Sequence, residues 1–453
     1  MLTESTIYVM FPYSSGKGIK RLGQPPFCRG KVPRKGRLAL VLFDPSVSVV
    51  VSLCFLIALL YKRVNLGIAL NATAMLLALI GVEWSRIPAV LYATSVDQLT
   101  ISIVLATFGI MLLSQLYKET RLINRMSESL SRIINNPKIV IGLLPAVLGL
   151  LPVAGGALMS APLVDSEAEK LELKPERKAY LNLWFRHTIF PVYPISQFLM
   201  ITAALTGMTV TSLVLRQIPV VVVMVLVGYV IGFWKLPKSK CKDETVQRSD
   251  SRSNLKGFLV AFSPILATIV VAVCLGLSVF GLSKAGFDVL IAIVVGLLVL
   301  IMISKVTFPI FLKPFKSWGI YGITAAAYGA FLLRNTMDAA GISSIFKTFV
   351  TGGNVDIVIL LVFIPMILAF MTGSPSGGVA AAISILAGVI AFSSKNASLI
   401  YMSAYLGYTM APTHLCLVFT VDYFKTTLGK VYKYVIPSIL ATYAATLAIY
   451  VLF

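Results

Sequence analysis

The chain has 453 residues, 58% apolar and only 13% charged, with a mean hydropathy of +0.89; soluble domains sit near half apolar and a quarter charged, so an ordinary soluble fold is excluded. The formal charge of +21 does not point to nucleic acid, because the basic residues collect between long apolar runs, where they report orientation across a bilayer. Five cysteines (Cys28, Cys54, Cys241, Cys274, Cys416) show neither metal-ligand nor Cys-x-x-Cys spacing, so no metal, cofactor or redox pair is expected.

Residues 1–44 read as a basic, disordered N-terminal tail, with Lys17, Lys20, Arg21, Arg29, Lys31, Arg34, Lys35 and Arg37 set among Gly and Pro. No signal-peptide layout follows, since the apolar run after Pro45 leads straight into further spans. Spans are predicted near 46–61, 65–82 and 99–117, then an apolar stretch at about 138–165 broken by Pro152, Gly155 and Gly156. Spans near 179–203 and 211–234 complete a first half, 45–234. The polar segment 235–256 reads as a cytoplasmic linker, because almost nothing in it can enter lipid. The second half, 257–453, follows the same plan: spans near 257–281, 286–303 and 317–333, a broken stretch at about 356–392, and spans near 399–421 and 430–452. The expected fold is therefore all-α, a polytopic membrane protein of about ten transmembrane helices, each near the 20 residues that cross roughly 30 Å, plus two re-entrant hairpins.

Residues repeat as well as lengths. Leu151-Pro-Val-Ala-Gly-Gly156 and Gly373-Ser-Pro-Ser-Gly-Gly378 both set a proline and a glycine pair at the break. Pro191 follows Gly155 by 36 positions and Pro412 follows Gly377 by 35, each inside a would-be span, within Thr188-Ile-Phe-Pro191 and Thr409-Met-Ala-Pro412. Pro219 and Pro437 recur in the last helix of each half. Shared landmarks in the same order indicate an internal repeat. With each hairpin returning to its own side, a half crosses the membrane five times, and the odd number inverts the second half. Loop charges agree: Lys62-Arg63, the 118–138 loop, the linker, Lys305/Lys313/Lys316 and Lys425/Lys430/Lys433 share one side, the cytoplasm by the positive-inside rule. The basic tail falls opposite in this count, so either the tail is not native or an early span is miscounted.

Non-helical backbone survives at membrane depth only where it lines a cavity or is buried in protein, so breaks at Pro152, Pro191, Pro375 and Pro412 call for a cavity. Half-helix N-termini offer N–H groups to anions, and carbonyls at the other ends can hold Na⁺. On these hairpin tips and broken spans, across residues 46–453, the chain resembles the ion transporter superfamily of gluconate permeases, citrate carriers and divalent anion/sodium symporters, and looks closest to an uncharacterised integral-membrane branch of it. The resemblance implies an elevator-type carrier, often a homodimer, whose tips and unwound helices cradle a carboxylate. Dicarboxylate carriers of this group have Ser-Asn-Thr at their tips; neither tip here has Asn, which counts against a dicarboxylate and the usual sodium coupling.

Candidate substrate contacts are Gly155, Gly156, Arg186, Thr188, Ser374, Ser376, Gly377, Gly378, Thr409 and Thr413. Ser and Gly at the tips either bind an oxyanion or allow close helix packing. Arg186, about eight residues into its span, either clamps a carboxylate bidentately or snorkels to the headgroups. Thr188 and Thr409 either present hydroxyls at the unwound turns or back-bond within their helices. The only two histidines, His187 and His414, flank corresponding breaks, and are either carriers of a coupling proton or interfacial residues satisfied by carbonyls. Asp97, Asp288, Asp338 and Asp422 lie at span ends as solvated groups, and the acidic stretch from Asp165 reads as a surface helix. The expected function is secondary active transport of a small organic anion across the plasma membrane, coupled to H⁺ or Na⁺, with no enzymatic activity. A channel or inorganic-ion antiporter is the alternative. An intramembrane serine protease, suggested by Ser376 and His414, is the remote one, because it leaves the first half unexplained.

Overall fold

The computed structural model describes residues 44–62, 64–134, 136–151, 156–235, 251–277, 282–341, 356–387 and 390–452. Most of the basic tail, the body of the linker, and Pro152 and Gly155 of the first tip lie outside the described residues. Every described element is helical.

Capping residues written into the loops start the first helices. Asp44 accepts from the Ser46 N–H ahead of α1 (Pro45–Tyr61), and Asn65 accepts from Gly67 N–H ahead of α2 (Leu66–Gly81). A short α3 (Ile87–Val96) leads to α4 (Gln98–Glu119), capped by Asp97, which accepts from both the N–H and the hydroxyl of Thr100 at 2.8 Å. Asp97 is thus a cap rather than a merely solvated group. In α5 (Leu122–Ile133), Leu122, Ile123, Met126 and Leu130 are buried while Arg125, Glu128 and Arg132 face out, an amphipathic pattern the span count passes over.

The first broken stretch is α6 (Pro137–Gly149) and α7 (Ala157–Glu169). The acidic residues from Asp165 continue α7 instead of forming a separate surface helix, and Lys178 reaches back to Asp165 at 2.6 Å. Next come α8 (Pro175–Thr188), a 3-10 turn at Phe190–Val192, α9 (Gln197–Thr206) and α10 (Val210–Phe233). The second half holds α11 (Ser251–Gly276), α12 (Phe287–Ser304), the short α13 (Phe308–Leu312) and α14 (Trp318–Ala339). Its second broken stretch is α15 (Ile357–Thr372) and α16 (Pro375–Leu386), followed by α17 (Ser394–Met410), α18 (Leu415–Tyr423) and α19 (Leu428–Leu452).

Among the described residues, six helical stretches are long and apolar enough to cross a bilayer: 98–119, 175–206, 210–233, 252–276, 287–304 and 428–452. That is fewer than the expected ten. The helices α1, α2, α6, α15 and α16 are apolar but shorter than 18 residues, and α14 carries Arg334, Asn335 and Asp338 in its last turns. The chain is a multi-pass membrane protein.

Lipid is as apolar as leucine, so helices associate here through close packing of small residues rather than through the hydrophobic effect. A Cβ on Gly378 of α16 would lie 2.5 Å from Ala369 Cα of α15, and one on Gly149 of α6 would lie 2.5 Å from the Arg186 carbonyl of α8. Gly407 of α17 is pressed in the same way against the Met366 carbonyl of α15. From Ser376 to Leu386 every residue of α16 is buried, which its Ala and Gly content makes sterically possible.

The contacts come in matching sets. α6 packs on α7 and α8, as α15 packs on α16 and α17. α7 lies against α18 and α16 against α9; α8 touches α10 and α19, as α17 touches α19 and α10. Around them α1 packs on α2 and α2 on α14, while α11 packs on α12 and α12 on α4. Other relations are unequal among the described residues: α14 packs firmly on α16 and α4 makes no comparable contact with α7, while α4 touches α9 and α1 touches α15 without comparable contacts of α14 with α18 or of α11 with α6.

Candidate functional site

Two helix interruptions meet in the protein interior. The first lies between α8 and α9. Pro191 and Pro194 have no N–H to continue a helical ladder, so the chain leaves the helix after Thr188, makes one 3-10 turn and resumes at Gln197. This frees carbonyls that need donors inside the protein. They find tyrosines of α17: Tyr405 donates its hydroxyl to the His187 carbonyl at 2.6 Å and Tyr401 to the Phe190 carbonyl at 3.1 Å. The second interruption, Ala411 to His414 between α17 and α18, is tighter. Its Met410 carbonyl accepts from the Tyr432 hydroxyl of α19 at 3.0 Å, and the His414 N–H donates to the Ala411 carbonyl at 3.0 Å.

Arg186, His187 and Thr188 form the last turn of α8, and all three are buried. Arg186 is 2% exposed, which excludes snorkelling within this fold. One of its terminal nitrogens donates to the Leu151 carbonyl, next to the first tip, at 3.4 Å; the other, Nη1, is buried with no hydrogen-bond partner among the described residues. No described carboxylate lies within ion-pair distance of it. An uncompensated cation at such a place costs several kcal/mol even after local relaxation.

His187 and His414, 227 positions apart in sequence, come together edge-to-face with ring centroids 4.8 Å apart. His187 Nδ1 lies 2.7 Å from the Leu183 carbonyl and His414 Nδ1 lies 3.4 Å from the Thr409 carbonyl. A carbonyl only accepts, so both Nδ1 atoms carry the proton and both Nε2 atoms present lone pairs. The His414 Nε2 is buried with no hydrogen-bond partner. The Tyr408 ring covers His414 at 4.0 Å between centroids.

The other sequence candidates divide. Thr188 and Thr409 sit beside this cluster, but their hydroxyls donate back to the Phe185 and Tyr405 carbonyls at 2.8 and 2.7 Å. Thr413 is exposed at the second break, where it presses on Gly373, so the second tip touches that break directly. Gly373 holds φ +58°, a left-handed turn that suits glycine. Ser374 caps α16, its hydroxyl accepting from the Gly377 N–H at 3.2 Å. Ser376 and Gly377 are buried in the first turn of α16, Gly377 beside Leu66, while Gly378 is the close approach to Ala369. Among the described residues no hydrogen bond joins this tip to Arg186 or to either histidine. Of the first tip, Gly156 precedes α7. Pro375 opens α16 at its first position, and Pro412 is exposed in the second break.

Sequence reasoning passed over several residues that build the site. Tyr401, Tyr405 and Tyr408 recur at helical spacing on the face of α17 that leads into the break, a pattern visible in the sequence. Asn182, buried in α8, bonds Ser160 of α7 at 2.6 Å, the Ala157 carbonyl at 3.0 Å and Thr420 of α18 at 3.4 Å, tying the halves together below the histidines. Cys416 is a third omission: a ring nitrogen of each histidine and its Sγ lie within 4.8 Å of one another. Asp288, expected to be solvated, is 2% exposed at the start of α12 and lines an apolar cavity of about 200 Å³ with Leu99, Met200, Ala204 and Met208.

A family model described as Protein of unknown function (DUF401) matches residues 46–453, which takes in both halves and every residue of the paired breaks. The chain belongs to the DUF401 family. A search of the curated proteins found no match. The family boundary at residue 46 leaves the basic tail outside the part of the chain that its members share.

Proposed function

We propose that the protein is a secondary active transporter of a small organic anion, and that the substrate carboxylate binds Arg186 between the two helix breaks. The observation that carries this reading is the buried guanidinium, whose Nη1 has no hydrogen-bond partner and which has no carboxylate partner among the described residues. Such a cation asks for a mobile anion, and its planar fork favours carboxylate. His187 and His414, with lone pairs beside it, are the proposed carriers of a coupling proton; a Na⁺-coupled cycle is the other form of this proposal.

The matching sets of helix contacts support two repeats of inverted topology, 45–234 and 257–453, each with a re-entrant hairpin (α6 with α7, α15 with α16). The unequal relations, α14 on α16 without α4 on α7 the largest of those named, support a carrier caught in one of two poses related by exchange of the halves. Elevator-type movement, a homodimeric assembly, residence in the plasma membrane and the absence of enzymatic activity belong to the same proposal. So does kinship with the ion transporter superfamily.

The test is uptake into proteoliposomes of labelled gluconate, lactate, citrate and succinate under separately imposed pH and Na⁺ gradients. Saturable, gradient-driven accumulation with counterflow is the expected result. Flux that does not saturate would favour a channel, and no carboxylate flux under any gradient would overturn the reading.

A further inference from the structure

We propose that His187, His414 and Cys416 form a binding site for a soft monovalent metal ion, Cu⁺, which ties the two helix breaks together. The ligand atoms already lie within 4.8 Å of one another. Around one ion, with bonds of 2.0–2.3 Å, they would stand about 3.6 Å apart, so closure needs movements of about 1 Å or less. Metal-binding histidines commonly have their second ring nitrogen held by a main-chain carbonyl, and here His187 Nδ1 lies 2.7 Å from the Leu183 carbonyl and His414 Nδ1 3.4 Å from the Thr409 carbonyl, which leaves Nε2 of each neutral ring as the atom to ligate. The His414 Nε2 is fully buried and meets no donor. No metal-ligand spacing announces this set, because the fold joins the last turn of α8 to the start of α18.

Thiolate with imidazole selects soft or borderline metals. Charge then chooses between them. As the ion binds, the Cys416 thiol releases its proton to solvent; one thiolate and two neutral imidazoles make Cu⁺ a neutral centre. Zn²⁺ would leave a net positive charge beside Arg186, which has no carboxylate partner already. The site uses the two histidines that the transport reading makes proton carriers, so bound Cu⁺ would block that coupling; the binding itself is measured without flux and stands or falls independently of transport.

The experiment is a competition titration of Cu⁺ against a Cu⁺ chelator, under reducing and anaerobic conditions, on purified full-length protein. The reference chain has Cys28, Cys54, Cys241 and Cys274 changed to Ser, leaving Cys416 as the one thiol. It should hold one Cu⁺ per chain, with X-ray absorption showing one sulfur and two nitrogen neighbours. Adding Cys416→Ser should weaken binding about 100-fold, and His414→Gln or His187→Gln about tenfold. A monodisperse elution profile checks that each variant is folded. Equal affinity of the reference chain and its Cys416→Ser derivative would overturn the site, as would Zn²⁺ displacing Cu⁺ from it.

Discussion

The two helix breaks do different work although they stand at corresponding places in the chain. The first is eight residues wide, from Ile189 to Ser196, directly follows the buried turn of α8 that holds Arg186, and draws on the other half for hydrogen bonds: Tyr401 and Tyr405 of α17 donate to the Phe190 and His187 carbonyls. The second is four residues wide, carries no charge, and is satisfied within its own half by Tyr432 and by a turn of its own backbone. The contact with the broken stretches also differs in kind. Arg186 donates to the Leu151 carbonyl after α6, whereas at the second break Thr413 lies against Gly373. Of two similar breaks, one thus follows a buried charge and the other does not.

The strongest way to break this comparison is Arg186→Ala. It should lower uptake about 100-fold, the worth of a bidentate charge-assisted pair, while membrane insertion stays intact. Arg186→Lys should recover only part of the loss, because an ammonium lacks the fork; full uptake by either variant would remove the first break from the substrate path. Gly149→Ala comes next. Its Cβ would lie 2.5 Å from the Arg186 carbonyl, so α8 must move, and a roughly tenfold fall in uptake with lower thermal stability is expected, since misplacement of about 1 Å can cost more than that.

Tyr405→Phe should cost about 1–3 kcal/mol by leaving the His187 carbonyl without its donor, read as a lower melting temperature in detergent. Tyr432→Phe removes the equivalent donor at the second break and should cost less, about 1 kcal/mol, because the tighter turn there can close on itself. Equal losses in the two tyrosine variants would contradict the division between the breaks.

Much of this architecture is legible in the sequence because lipid makes the rules few. Runs of apolar residues, Pro and Gly pairs place α1, α2, α4, α10 and α12 within one or two residues of their observed ends. They also foretell that helices stop at Pro191 and Pro412. The helices α3 and α5 were hidden because one is too short to span and the other is amphipathic, so neither makes an apolar run. The pairing of His187 with His414 was expected only as a likeness of position. Their contact depends on how α8 and α17 cross, which no local pattern encodes. Ser374 shows the opposite limit: a hydroxyl beside a glycine pair reads as a ligand, while the helix start after Pro375 uses it as a cap. Cys416 was dismissed because spacing along the chain says nothing about residues gathered from two halves.

The tyrosines of α17 also bear on biogenesis. A ribosome that has released only residues 45–234 has made the His187 carbonyl but not its donor Tyr405, which follows it by 218 positions. The turn at Arg186 therefore gains this hydrogen bond only once α17 has been made.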